Sequence, residues 1–258
     1  MTLALLVLGL FAGGVGALVG VGGGIIITPV LALYFGVPMH QAIGASLMAV
    51  IATSTATSSV YLERHVANIR LGMTLELATT IGAAVAAVIA GYADRKTLAL
   101  LFALFLFYSA FSMAQKAWQS RAVKHEGSLP EYRVRRYGLG MTASLVAGAL
   151  SGLLGIGGGP IKVPVMYLFM GVPLRAATAT SNFMIGVTAA TSAYIYYGRG
   201  DVVLGLAAPL VAGAFAGSLL GAWASPRVRA SNILFLLMAV ALYLAVQLLY
   251  KAISGAWG

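Results

Sequence analysis

The 258-residue chain contains no cysteine. Disulfides, thiolate metal sites, iron–sulfur clusters and cysteine nucleophiles are excluded. Charge is almost as scarce: Asp, Glu, Lys and Arg make up 9% of the residues, against about 25% in ordinary soluble domains. Only 6 residues are acidic, and they fall mostly in loops, so no convergent catalytic set can be assembled. His40, His65 and His125 are scattered without metal-ligand spacing. The chain is therefore expected to be neither an enzyme nor the holder of a metal or cofactor.

What remains is apolar. Hydrophobic residues make up 60% of the chain, with a mean hydropathy of +0.95. A chain so poor in charge cannot clothe itself in a hydrated surface and needs lipid as its solvent. The formal net charge of +10 would suggest nucleic acid in a soluble protein. Here the basic residues lie between apolar runs with no aromatic-basic face, so cytoplasmic loop placement is the better explanation, and no nucleic-acid partner is expected.

Apolar segments fall at about 3–19, 25–35, 41–61, 72–92, 97–115, 138–154, 160–170, 176–197, 202–224 and 231–250. A full crossing needs about 20 residues of helix. Segments 25–35 and 160–170 are too short, follow glycine clusters and precede Gly-Val-Pro turns, so they read as broken spans. No Lys or Arg precedes Leu3–Leu10, and this segment belongs to the repeat described next, so it reads as part of the mature protein rather than a signal peptide. The hydrophilic stretch from Lys116 to Tyr137 carries Arg121, Lys124, Arg133, Arg135 and Arg136 against Glu126 and Glu131. It is expected to be cytoplasmic and divides the chain into residues 1–118, a basic loop at 119–137, and residues 138–258.

The second half repeats the first. Gly20-Val21-Gly22-Gly23-Gly24 matches Gly155-Ile156-Gly157-Gly158-Gly159, an offset of 155 − 20 = 135. The same offset pairs Pro29 with Pro164, Gly36-Val37-Pro38 with Gly171-Val172-Pro173, Ser46 with Ser181, Tyr61 with Tyr196 and Arg64 with Arg199. Roughly half of the positions from Gly20 to Ser46 are identical to their counterparts, which marks a duplication. Five spans per half would invert the repeats and four would leave them parallel. With the central loop inside, inversion puts Arg175, Arg227 and Arg229 inside against Arg199 and Lys251 outside, which favours inversion. The fold class expected is all-α, a polytopic membrane protein of two homologous, inverted repeats.

The glycine triplets are neither a Rossmann fingerprint, lacking strand and acidic partner, nor a P-loop, because Lys162 is followed by Val163. In a membrane they break a helix and present backbone N–H groups at the start of the next one, where an anion is favoured. Exposed backbone at membrane depth must be buried in protein or line an aqueous cavity. Gly22, Gly23, Gly24, Gly157, Gly158 and Gly159 are thus candidate anion ligands; close helix packing is the competing explanation. Ser46, Thr180, Ser181 and Asn182 add neutral donors, with interhelical hydrogen bonding equally able to account for them. Lys162 is an ionisable residue inside a short apolar segment, its counterpart being Ile27, and is either functional or snorkels to the interface. Arg175 is a weaker candidate in a loop. Glu76 is expected to pair with Arg70 at the interface, with proton coupling as the alternative.

These residues resemble the TauE/SafE sulfite exporter family of membrane transporters. The resemblance rests on Gly20 to Gly24 with Pro29 and Gly36-Val37-Pro38, and on Gly155 to Pro164 with Gly171-Val172-Pro173 and Thr180-Ser181-Asn182. It covers nearly the whole chain outside the central loop and implies an inner-membrane permease exporting sulfite, an organosulfonate or a related sulfur anion. The repeats differ at Ile25/Pro160 and Ile27/Lys162, so a shared site would be asymmetric. The mechanism expected is alternating access with the anion between the repeats. An anion channel, a carboxylate transporter and a membrane-protein assembly factor are the rivals. A coupling ion, H+ or Na+, and a homodimer are both admissible. Gly23→Leu and Gly158→Leu are expected to abolish binding while leaving insertion intact.

Overall fold

A computed structural model describes residues 1–122, 132–225, 228 and 230–254, with side chains at all of these but 119–122, 230 and 232. Lys124, His125, Glu126, Glu131, Arg227, Arg229 and the side chain of Arg121 lie outside the described residues.

Ten helices are described and no strands among the described residues. They are α1 (Thr2–Val19), α2 (Gly24–Tyr34), α3 (Met39–Glu63), α4 (Ile69–Ala90) and α5 (Arg95–Ala122), then α6 (Tyr137–Leu154), α7 (Gly159–Leu168), α8 (Leu174–Gly198), α9 (Leu204–Ala224) and α10 (Ala230–Ser254). Adding 135 to the bounds of α1 and α3 gives those of α6 and α8, so the duplication extends to helix boundaries. Seven helices, α1, α3, α4, α5, α6, α9 and α10, are long and apolar enough to cross a membrane. The chain is a polytopic membrane protein. Helix α8 is as long as its counterpart α3, but Thr180, Ser181, Asn182, Thr188 and Ser192 all lie on its buried side. A helix that hides polar groups in protein rather than lipid is under no pressure to be apolar throughout.

The short helices end where the sequence says they should. Gly20 and Gly155 close α1 and α6 with φ of 81° and 71°, the left-handed conformation that glycine adopts without a Cβ penalty. Helices α2 and α7 then start at Gly24 and Gly159 and stop before Gly36 and Gly171.

Small residues decide which helices meet. Gly9, Gly13 and Gly14 of α1 lie against Leu210, Ala214 and Gly217 of α9, and Gly221 lies against Gly14. A Cβ at Gly9, Gly13 or Gly221 would strike backbone, so the two helices touch main chain to main chain. The counterpart contact brings Gly148 of α6 to Thr79 of α4, and Gly152 to Ala83 and Ala87. In both pairs residue numbers rise together, so α1 runs parallel to α9 and α6 parallel to α4. Helix α3 also runs with α9, Gly44 lying at Asp201 and Arg64 donating to the Ala222 carbonyl at 3.1 Å. Each such contact joins one half of the chain to the other, so neither half forms a separate body.

Two expectations need correction. Helix α5 runs on to Ala122, past the boundary set at 118. Lys116, read as the start of the basic loop, is a buried residue of α5 whose Nζ donates to the Val19 carbonyl at 2.5 Å. The C-terminal carbonyls of α1 lack partners within their own helix, and a buried ammonium satisfies one.

Candidate functional site

The two glycine turns meet in the interior of the fold. Every residue from Gly20 to Gly24 and from Gly155 to Gly159 is buried. Each turn is bound to the opposite repeat by a serine: Ser46 Oγ donates to the Gly155 carbonyl at 2.9 Å, and Ser181 Oγ to the Gly20 carbonyl at 3.4 Å. A Cβ on Gly24 would overlap the Gly155 carbonyl, and one on Gly159 the Gly20 carbonyl. A Cβ on Gly22 would lie 3.2 Å from both Val50 and Ile185, and one on Gly157 would meet the same two side chains. Val50 and Ile185 are themselves counterparts, 185 − 50 = 135. The contacts are reciprocal between the repeats, and Val50 and Ile185 each lie against both turns.

Hydrogen bonding within the turns resumes only at Ile26 and Ile27, which donate to the Gly23 carbonyl, and at Ile161 and Lys162, which donate to that of Gly158. Among the described residues, the N–H groups of Gly22, Gly23, Gly24, Gly157, Gly158 and Gly159 have no backbone acceptor. The interlocked packing is present: Gly23 and Gly158 take φ of 76° and 73°, and a Cβ there would sit 2.8 and 2.9 Å from the carbonyl oxygens of Ala12 and Ala147. Leucine at either position therefore disturbs the fold as well as any ligand, contrary to the expectation that insertion is untouched.

Asn182 is 1% exposed. Its Nδ2 donates to the Ala17 carbonyl at 3.2 Å, its own carbonyl accepts from Ser54 Oγ at 2.5 Å, and Oδ1 has no partner among the described atoms. Thr180 Oγ1 accepts the Asn68 amide at 2.9 Å, at the start of α4. Arg175 is exposed in the first turn of α8, and no described contact joins it to the turns.

Lys162 does not snorkel. It is 2% exposed and lies one turn into α7, where its Nζ donates to Glu76 Oε2 at 3.3 Å and to Thr188 Oγ1 at 3.2 Å. Thr188 Oγ1 in turn donates to Glu76 Oε1 at 2.5 Å. Glu76 is 6% exposed. The expected partner Arg70 is exposed in the first turn of α4, so the pairing of Glu76 with Arg70 is overturned. Desolvation explains the choice: a buried carboxylate needs a buried opposite charge and filled lone pairs, and Lys162 and Thr188 supply both.

Sequence reasoning missed Glu76 and Thr188 as members of this cluster. A signal was available. At the repeat offset Glu76 corresponds to Val211 and Lys162 to Ile27. These are two places where one copy is apolar and the other charged, with opposite signs.

The fold is that of an all-helical polytopic membrane protein, with the buried polar side chains of α3 and α8 bonded to the glycine turns of the opposite repeat. The sequence profile described as sulfite exporter TauE/SafE matches residues 5–248, and the chain belongs to that family. A probable membrane transporter protein, YunE of Bacillus subtilis, is 30% identical, covering 96% of this chain and 97% of its own length. A probable membrane transporter protein of Methanocaldococcus jannaschii is 27% identical, covering 89% of this chain and 91% of its own. Another from Xylella fastidiosa is 30% identical, with 88% of each covered. No solved structure gives a significant match. The protein is a membrane transporter.

Proposed function

We propose that the protein is a secondary transporter that exports a small sulfur-containing anion, sulfite or an organosulfonate, across the inner membrane. The observation that carries this reading is the pair of repeat-related glycine turns with unpaired amide donors. Oriented N–H groups at helix starts hold an anion without a full positive charge, and a site bounded equally by two repeats can be opened from either side. Gly22, Gly23, Gly24, Gly157, Gly158 and Gly159 supply backbone donors. Ser46, Ser181 and Asn182 line the approach, Thr180 steadies the start of α4, and Lys162 contributes the local positive charge. Arg175 draws anions toward the mouth. Val50 and Ile185, which lie against both turns, would have to part for the anion to pass.

The repeats are inverted copies in this reading. Helix α1 runs parallel to α3 because both run with α9, while the short 64–68 connection reverses α4 against α3. Helix α6 runs with α4, so it opposes its own counterpart α1. Inversion places the two mouths on opposite faces of the membrane, which is what alternating access needs. The basic stretch at 119–137 faces the cytoplasm.

Radiolabelled flux in proteoliposomes tests this. Sulfite, sulfate, thiosulfate, sulfoacetate and taurine would each be loaded, and saturable movement of at least one is expected at about ten times the empty-liposome rate or more. A chain that moves none of them is not a sulfur-anion transporter.

A further inference from the structure

The buried Lys162–Glu76–Thr188 cluster has no equivalent at the repeat-related positions. The corresponding positions hold Ile27, Val211 and Thr53. Thr53 Oγ1 donates only to the Ala49 carbonyl of its own helix, at 3.0 Å. Packing therefore does not require charge here, since the same fold accommodates two aliphatic side chains at the counterpart positions. Replacing buried ion pairs with apolar residues is often neutral or stabilising. A pair retained at one end only points to a task other than holding the helices together.

The surroundings of the pair define that task. Helix α6 presents Ser144, Ala147, Gly148 and Ser151 from its buried face, and no ionisable group. Helix α8 presents Thr188 and, one turn earlier, the Met184 carbonyl, which also lies 3.3 Å from Thr188 Oγ1. Helix α5 brings Ser112, bonded to the Pro160 carbonyl at 3.2 Å, and Lys116, held by Val19. Arg70 of α4 is exposed. Glu76 is thus the only carboxylate found with Lys162, and among the described residues it pairs with no other cation. The two form a unit of zero net charge.

An anion arriving at Lys162 must displace Glu76 or find it neutral, because two negative charges beside one ammonium would leave one uncompensated in a desolvated site. The Thr188 hydroxyl has a single hydrogen and two acceptors, Glu76 Oε1 at 2.5 Å and the Met184 carbonyl at 3.3 Å. It can serve the carboxylate when charged and turn to its own helix when the carboxyl is protonated. We propose that this cluster is the coupling site of the transporter: one proton on a Glu76 carboxylate oxygen accompanies each anion taken up by Lys162, and both leave on the far side. This rests on the anion-transport reading and adds the identity of the co-transported ion, H+.

The consequence is a change in transported charge. With Glu76 fixed neutral as Glu76→Gln, each cycle carries one more net negative charge than in the wild type, whatever the valence of the anion. The full-length protein in proteoliposomes, with labelled methanesulfonate and sulfite as probes, allows the comparison. For a monoanion the wild type should accumulate label about ten-fold per unit of pH gradient, acid on the side of entry, and ignore a potassium–valinomycin potential. Glu76→Gln should lose the pH-driven accumulation, keep anion exchange, and respond to the potential. If the variant and wild type respond alike to both gradients, the coupling assignment is overturned while the transport reading survives. If the wild type moves neither probe, nor any of the anions named earlier, both fall.

Thr188→Val keeps both charges and gives a second readout should Glu76→Gln fail to fold. Losing a donor to the charged carboxylate favours its protonated form. The pH at half-maximal flux should rise. An unchanged profile would show that Thr188 only packs.

Discussion

The two glycine turns are near copies of one another, whereas the positions one turn further along are not. At the turns, the same backbone conformation, the same cross-repeat serine bond and the same shared contact with Val50 and Ile185 occur twice. One turn later, Lys162 and Glu76 face each other at one end, and Ile27 and Val211 hold the corresponding places at the other. The difference separates two jobs. In the proposed transport cycle the symmetric part supplies two interchangeable gates and the asymmetric part the one charged centre.

The largest effect should come from breaking the asymmetric pair on one side only. Lys162→Met leaves Glu76 buried without its cation and should cost about 3–5 kcal/mol of stability, read as a lower unfolding midpoint in detergent. Installing the residues of the other end, Lys162→Ile with Glu76→Val, should restore most of that loss. A double variant as unstable as the single one would mean that the pair holds the helices together after all.

Glycine replacement tests the symmetric part. Gly23→Ala and Gly158→Ala force a side chain into a left-handed conformation beside a carbonyl oxygen, at a cost of about 1–3 kcal/mol each. The two losses should agree closely, since φ values of 76° and 73° and contacts of 2.8 and 2.9 Å are nearly the same. Unequal losses would break the symmetry argument.

A smaller contrast lies at the ends of α3 and α8. Arg64 donates to the Ala222 carbonyl, and Arg199 to the equivalent Ala87 carbonyl. Arg199 also pairs with Asp201 at 2.8 Å and lies 4.1 Å from the centre of the Tyr196 ring. Arg199→Met should therefore destabilise more than Arg64→Met, by about 1 kcal/mol. Ser46→Ala and Ser181→Ala should be the mildest, about 1 kcal/mol or less, with the 2.9 Å bond costing more than the 3.4 Å bond.

Much of the fold was legible because duplication and hydropathy speak to the same boundaries. The segments read at 138–154 and 160–170 became helices Tyr137–Leu154 and Gly159–Leu168, Gly155 capping the first in the left-handed conformation. The candidate ligands Ser46 and Ser181 were legible as a pair, but their direction was not. Each reaches across to the other repeat, and nothing local encodes which carbonyl a hydroxyl will find. The link between Glu76 and Lys162, 86 residues apart on α4 and α7, was hidden for the same reason. Arg70 was the nearer cation along the chain, and only the parallel packing of α4 beside α8 brings Thr188 and Lys162 to the carboxylate.

The absence of native cysteine makes the central claim directly testable. A single thiol installed as Val50→Cys would sit between the two turns, and the purified variant can be treated with a maleimide, freed of excess reagent and tested for equilibrium binding of labelled sulfite. The account predicts that the thiol reacts as the transporter cycles, and that the modified protein loses binding which the unmodified variant retains. A thiol that never reacts, or an adduct that binds sulfite as well as before, would contradict an anion site between the repeats.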